Sequence, residues 1–374
     1  MARVDRKTAK KHAYFHLTTK GSSLFGKNIK KLEIQDGIEF YDVEYLEKDD
    51  PPLYVFSVTS DNHEIGRILI SGTTYLGSTL ISIISNHSKI KNTQEHRINL
   101  IEKLRKEFGI SIKHAKNSSF KNIVYSYPRY GIGVKDKNNA WKIINWEGES
   151  FITDTLVDPE LQGEYYWSFW DEFPQAGSNE EEWKKESEFI SNLFSTEDYN
   201  ISKLAESIKK IKPVKMTHIL PVKSMGQKTN VHCAPCSLEM IYKYVYRKEL
   251  SQEEVGEKMG ILPMGTTTSG QVKGYKHYFS DDFKIELDRT PTWDELKDSI
   301  VNGLPVKSGI RGHARVAIGI RKDTYLNSLT GEIQYEDKLL LINDPEPVNI
   351  GSQVWENIST GHLRDFIIIS RLSA

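Results

Sequence analysis

The chain has 374 residues, 38% hydrophobic and 27% charged, and its 50 Lys and Arg against 51 Asp and Glu leave a formal net charge of -1. That length exceeds what one hydrophobic core usually serves, so two domains are expected, and the balanced charge offers nothing that recruits nucleic acid or a membrane surface. No apolar run approaches the roughly 20 residues that span a bilayer, and Met1 to Lys20 lacks the apolar middle of a signal peptide. A soluble chain is expected, secreted or periplasmic if a signal peptide was removed and cytoplasmic otherwise.

Arg6 to His16 sets Ala9, Ala13 and Phe15 among Lys and His, which predicts a short helix with a small-residue face. The most one-sided charge also lies here: Arg3, Arg6, Lys7, Lys10, Lys11, Lys20, Lys27, Lys30 and Lys31 stand against Asp5 alone, the pattern of a solvated helix face. The period then changes. Gly37 to Leu46, Pro52 to Thr59, Gly66 to Ile70 and Ser78 to Ile84 are rich in Ile, Val, Tyr and Phe and read as strands, with Ser60, Asp61, Asn62 and Gly72 as turn residues. Gln94 to Phe108 carries Ile98, Leu100, Ile101 and Leu104 at helical spacing and stops at Gly109. Strands are expected again at Asn122 to Tyr127, Tyr130 to Lys135 and Trp141 to Asn145. The aromatic run of Tyr165, Tyr166, Trp167 and Trp170 reads as packing material.

From Ser178 to Lys212 the composition turns to charge, with helices expected at Glu180 to Phe194 and Ile201 to Ile211. A further helix follows Cys233, with Leu238, Met240, Ile241 and Tyr244 apolar. The next, Gln252 to Met259, opens with Ser251 and Glu254 as a capping-box pair, and Thr292 with Glu295 repeats that signature before Leu296 to Val301. Strands are expected at Pro305 to Ile310, His313 to Ile320, Lys338 to Ile342 and Phe366 to Ser370. Helices first and a sheet afterwards make an α+β domain.

Cys233 and Cys236 are the sole cysteines, so no disulfide framework is available and both sulfurs lie in one segment. Cys233 stands at the mouth of a predicted helix, where free N–H groups and the helix dipole stabilise a thiolate. Acyl transfer needs three further groups: a donor for the oxyanion, a base for the thiol proton and a group that orients the base. Gln227, six residues before Cys233, has a side-chain N–H for the first. His313 opens an apolar strand and is placed to be the base, and Asp344, just before Pro345, is placed to fix its tautomer; Asn343 is the competing orienter.

Gln227, Cys233 in Cys-Ala-Pro-Cys-Ser-Leu-Glu-Met, Gly312-His313 before a hydrophobic strand and Asn343-Asp344-Pro345 after the next one resemble papain-like cysteine peptidases. Among these, the likeness is to the leader-processing peptidases of bacteriocin exporters. Ser251-Gln-Glu-Glu before a short helix and Gly303-Leu-Pro-Val before the histidine strand extend the match over residues 213 to 374. Ala234 departs from the usual Gly, and Cys236 is an extra thiol. Pro52-Leu-Tyr-Val-Phe-Ser-Val, Glu64-Ile-Gly-Arg-Ile-Leu-Ile-Ser and Ile81-Ser-Ile-Ile, with the Ala9 to His12 helix, resemble the pro-domain of streptopain-type peptidases, which covers the active site until removed.

The resemblance implies an α+β papain-like catalytic domain over residues 213–374, part helix bundle and part antiparallel sheet. It is preceded by a strand-rich α+β pro-domain or regulatory domain over 1–177 and a charged helical linker over 178–212. It further implies a peptidase acting on a peptide or protein substrate, without metal or cofactor, through Cys233, His313, Asp344 and Gln227. Other chemistries fit parts of the same residues. Cys233 and Cys236 have the spacing of a thiol–disulfide oxidoreductase, although Met225 to His232 is polar where such a fold has an apolar strand. An acyltransferase or transpeptidase would use the same site with an amine in place of water. A zinc site of Cys233, Cys236, His232 and His218 or His277 lacks a second close ligand pair, and in an inactive binding module Cys233 would simply pack. His232 reads as a solvated loop residue and His362, after Gly361, as structural.

Overall fold

The computed structural model describes residues 3–26, 31–42, 51–85, 93–111, 116, 119–125, 129–137, 141–146, 148, 150–151, 180–194, 204, 206–208, 211, 213–263, 265–290, 292–327, 329–360 and 363–372. The Tyr165 to Trp170 run, most of the expected Ile201 to Ile211 helix and His362 lie outside these residues. Contacts divide the chain into two α+β units. The first comprises residues 1–80, 88–157 and 165–190, and the second 81–87, 158–164 and 191–374.

In the first unit, helix α1 (Arg6–Phe25) starts on the Asp5 side chain, which accepts from the Thr8 amide, and stops where Gly26 turns left-handed at φ 61. It runs well beyond His16. Of the cations expected on a solvated face, Arg6 and Lys7 are exposed and Lys10 and Lys11 half-buried, whereas Lys20 is buried. His12, His16 and Lys20, four residues apart, are all fully buried. His16 Nε2 lies 2.9 Å from Thr79 Oγ1 and 3.4 Å from Glu186, so the stripe is a hydrogen-bonded interior. Glu186 belongs to helix α3 (Glu180–Leu193) and also accepts from the Thr79 amide at 2.8 Å.

Strands β1 (Leu32–Ile34) and β2 (Ile38–Asp42) follow one another along one edge of β3 (Leu53–Ser60), whose other edge pairs with β4 (His63–Ser71), all antiparallel. Asp61 and Asn62, at φ 51 and 65, make the two-residue turn between β3 and β4. Helix α2 (Thr93–Phe108) ends at Gly109, φ 63, and packs Leu100, Ile101 and Leu104 on Ile132, Val134 and Ile144. Those apolar residues come from the meander β6 (Lys121–Tyr125), β7 (Arg129–Lys135), β8 (Trp141–Asn145) and β9 (Ser150–Phe151), which joins β2 through a short parallel pairing with β6.

Among the described residues, the second unit sets the helices α4 (Cys233–Tyr246), α5 (Gln252–Met259), α6 (Thr268–Phe279) and α7 (Trp293–Val301) on an antiparallel sheet. The sheet runs β11 (Phe283–Asp288), β16 (Asp365–Arg371), β12 (Val306–Ile310), β13 (His313–Leu326), β14 (Ile333–Asp344) and β15 (Ser352–Asn357). It continues into Ser82 to Ser85 of β5 (Leu80–Ser85). Strand β10 (Val214–Ile219) pairs with the far half of β13, continuing the row that β12 begins.

The Thr292–Glu295 capping box forms, with each side chain bonded to the other residue's backbone. The expected Ser251–Glu254 box does not. Ser251 gives its hydroxyl to Glu253 at 2.6 Å, and its side chain caps no backbone N–H. Under the sheet, fully buried Arg315 makes a two-pronged ion pair with Glu356, and Lys307 pairs with Asp365. Each joins two strands, and removing one partner would strand a charge in the core at a cost of about 3–5 kcal/mol.

Candidate active site

His313 is the first residue of β13, entered from β12 through Arg311 and Gly312, with Gly312 at φ 67. A left-handed backbone here suits glycine, and the short turn holds the imidazole at the rigid end of a buried ladder. Asp344 is the last residue of β14, which pairs antiparallel to β13, so both side chains stand at the same end of the sheet. Nε2 of His313 lies 2.6 Å from Oδ1 of Asp344, and both residues are buried. That oxygen also accepts from the Glu346 amide at 2.9 Å. Asn343, one residue back, turns elsewhere. Its amide donates to the Val222 carbonyl at 3.1 Å and accepts from Gln353 at 2.8 Å.

Cys233 opens α4, with His232 as the N-cap residue and the Cys236 amide donating to the His232 carbonyl at 2.9 Å. Burial raises the Cys233 thiol pKa, but a hydrogen bond and the positive charge of His313, with a further hydrogen bond from the Ala314 backbone, outweigh it and leave the pKa below its ordinary value. His313 moves the other way. Burial disfavours its charged form, yet the Asp344 charge, the Glu346 charge and hydrogen bonds to Asp344 and Cys233 raise its pKa to about 10. With Nε2 given to Asp344, Nδ1 is the ring nitrogen left for the sulfur. The two shifts are opposite, the direction that favours a proton on the imidazole over one on sulfur, and Nδ1 has no hydrogen-bond partner of ordinary geometry among the described residues.

Gln227 is fully buried, and among the described residues neither its side-chain oxygen nor its nitrogen has a hydrogen-bond partner. A buried amide with both ends unused is costly, which singles Gln227 out among the buried polar side chains of this segment. Its backbone is held in contrast, its N–H donating to the Pro345 carbonyl at 2.9 Å and its carbonyl accepting from Asn349 at 2.8 Å. The loop after Asp344 is therefore stitched to the loop before Cys233.

Cys236, one turn along α4, is fully buried and directs its sulfur to the Met225 carbonyl at 3.5 Å. Burial, then the charges of Glu239, Cys233 and Asp344, push its thiol pKa far up. His232 is engaged by the Thr229 hydroxyl through Nδ1, and burial lowers its pKa. Of the residues of the zinc alternative, His232 and Cys236 thus have other partners. Two participants had no sequence signal: the Ala314 backbone, because main-chain donors leave no residue signature, and Glu346, whose charge acts on both Cys233 and His313.

No protein-family model and no curated protein sequence matches the chain. Among solved structures, it is similar to a double glycine motif protease from an AMS/PCAT transporter in complex with the leader peptide, with 19% identity, a TM-score of 0.30 and cover of 43% of this chain and 98% of that one. It is also similar to UfSP from C. elegans, with 13% identity, a TM-score of 0.29 and cover of 45% of this chain and 37% of that one.

Proposed function

We propose that this chain is a cysteine peptidase of papain-like design, with Cys233 as nucleophile, His313 as acid and base, Asp344 as the group that orients His313 and Gln227 as an oxyanion donor. The observation that carries the reading is the 2.6 Å contact between His313 and Asp344 beside a cysteine whose thiol pKa the same imidazole lowers. The Cys233 thiolate attacks the carbonyl carbon of a peptide or isopeptide, and the C=O electron pair moves onto oxygen, where Gln227 and the Cys233 backbone N–H hold it. Collapse of this intermediate breaks the C–N bond as imidazolium His313 gives its proton to the leaving amine. Water, deprotonated by His313, then attacks the thioester and releases acid and thiolate. With an amine in place of water the same residues carry acyl transfer.

The thiol–disulfide alternative would use Cys236 as the resolving thiol; that sulfur is buried and turned to the Met225 carbonyl, and loss of turnover in Cys233→Ala but not in Cys236→Ser separates the two chemistries. Latency is part of the proposal. The streptopain-type sequence likeness of residues 1–177 suggests a segment that must move or be removed before substrate enters. Iodoacetamide at pH 7 followed by mass spectrometry tests the central point: Cys233 carries the label and Cys236 does not. Equal labelling of the two, or none at Cys233, overturns the reading.

A further inference from the structure

The loop that carries Gln227 is gripped by one other side chain. Gln252, first residue of α5 and buried, accepts from the Lys228 amide through Oε1 at 2.9 Å and donates from Nε2 to the Gly226 carbonyl at 3.2 Å. The peptide groups on both flanks of Gln227 therefore end on one amide. A second acceptor, Glu239 of α4, takes the same Nε2 at 3.0 Å. These partners decide which way the amide faces, because turning it over would set an NH2 against an N–H and an oxygen against two oxygens. Gly226 leaves the loop no room to slide, since a Cβ there would meet the Ile350 nitrogen at 2.1 Å.

The consequence is an unusual division of labour at Gln227. Every main-chain group from the carbonyl of Gly226 to the amide of Lys228 is bonded, two of them to Gln252 and two to the loop of Pro345 and Asn349. The Gln227 side chain makes no hydrogen bond among the described residues. Holding the backbone fixes the point from which the Gln227 side chain projects, and its own χ torsions set the reach that remains.

We propose that Gln252 is the positioning residue of the oxyanion site: it fixes the 226–228 backbone from both sides so that the Gln227 amide stays free for the developing oxyanion. This rests on the peptidase reading above. Gln252 acts through Gln227, never on the substrate, so its loss slows only steps that pass through an oxyanion.

Two reagents separate such steps from general damage. p-Nitrophenyl acetate acylates a thiolate through a tetrahedral oxyanion and expels p-nitrophenolate, whereas iodoacetamide alkylates it by direct displacement of iodide, with no oxyanion. In the full chain, Gln252→Ala and Gln252→Glu are expected to lower the acylation rate constant about tenfold, less than the roughly 10²-fold of outright donor loss. The alkylation rate and its pH profile should stay at wild-type values. In a Gln227→Ala background the Gln252 substitutions should cause no further loss of acylation.

Equal losses with both reagents, or losses that multiply in the double variant, overturn the proposal. Should Gln252→Ala not fold, Gln252→Glu, which keeps the volume and the acceptor to Lys228, carries the same comparison. If Gln227→Ala acylates at the wild-type rate, the oxyanion reading itself fails. If Gln227→Ala is slow while both Gln252 variants are not, the positioning role alone fails.

Discussion

Asn343 and Asp344 are neighbours at the end of β14 whose side chains take different partners: Asp344 meets His313 Nε2 at 2.6 Å while Asn343 holds Val222 and Gln353. Strand alternation sends adjacent side chains to opposite faces, so only one of two polar residues can serve the imidazole.

Replacing Asp344 by Asn should therefore lower turnover about tenfold or more, because the ring loses its oriented tautomer and the charge that sustains imidazolium. The pH dependence has a definite sign. The folded His313 pKa is raised above 6.5 to about 10, so this group stabilises the fold fully below pH 6.5 and the contribution disappears as pH rises through about 10. Asp344→Asn should move the loss of imidazolium to lower pH. Alkylation of Cys233 against pH and alkaline thermal denaturation read both effects, and undiminished turnover would remove Asp344 from the site.

The two thiols should behave as different chemical species. Cys233→Ala is expected to abolish turnover, while Cys236→Ser retains most of it, since Cys236 is fully buried and its pKa is raised. Turnover of a cleavable peptide together with p-nitrophenyl acetate acylation measures this. Equal loss in the two variants would favour the dithiol chemistry instead.

Gln227 offers a stability measurement as well as a kinetic one. Gln227→Ala should reduce kcat by about 10²-fold, roughly 2.7 kcal/mol of transition-state stabilisation, with little change in KM. Gln227→Leu should lose the same activity yet unfold no more readily than wild type, because the amide it replaces is buried without partners. A large fall in melting temperature for the leucine variant would mean that the amide is bonded in the folded protein.

Acid should loosen the first unit before the second. Burial lowers the His12 pKa to about 3, against the charge of Glu186 and with that of His16, so the folded state binds this proton far less readily than the unfolded chain. Stability is then lost as pH falls below about 6.5 toward 3. Glu186 adds to the loss. Burial raises its pKa, but the hydrogen bond and charge of His16 and the Thr79 hydrogen bonds hold it down to about 2, so its contribution fades as pH falls from 4.5 toward 2. Amide exchange in α1, corrected for intrinsic rates, should accelerate between about pH 6 and 4, and His12→Phe should flatten that rise. Identical profiles for the two proteins would show that His12 is not held neutral.

Elements with strong local signals were legible in the sequence. The Asp61–Asn62 turn, the Gly109 stop of α2, the Thr292 capping box and the bounds of α5 all follow from backbone preferences that act within a few residues. Strand β10 and helix α6 were not. β10 is mostly exposed and exists through its pairing with β13, a contact across more than 100 residues that leaves no alternation in Val214 to Ile219. Helix α6 contains Gly270 and Gly274, a residue type that weakens helix interiors, yet a Cβ on either would strike Met259, at 2.3 Å and 2.6 Å.

At the site the same division holds. The sequence by itself determined the chemical types and their local settings: a cysteine opening a helix, a histidine following a glycine turn into an apolar strand, an acid before a proline. Each is set by neighbours a few residues away. Tertiary structure decided which of Asn343 and Asp344 faces the ring, that the Cys236 sulfur turns to the Met225 carbonyl and that Lys20 is buried. It also decided that Gln252 braces Gln227 from 25 residues further along the chain. Those outcomes depend on strand register and on which buried polar groups find partners, and both are settled only when distant segments pack.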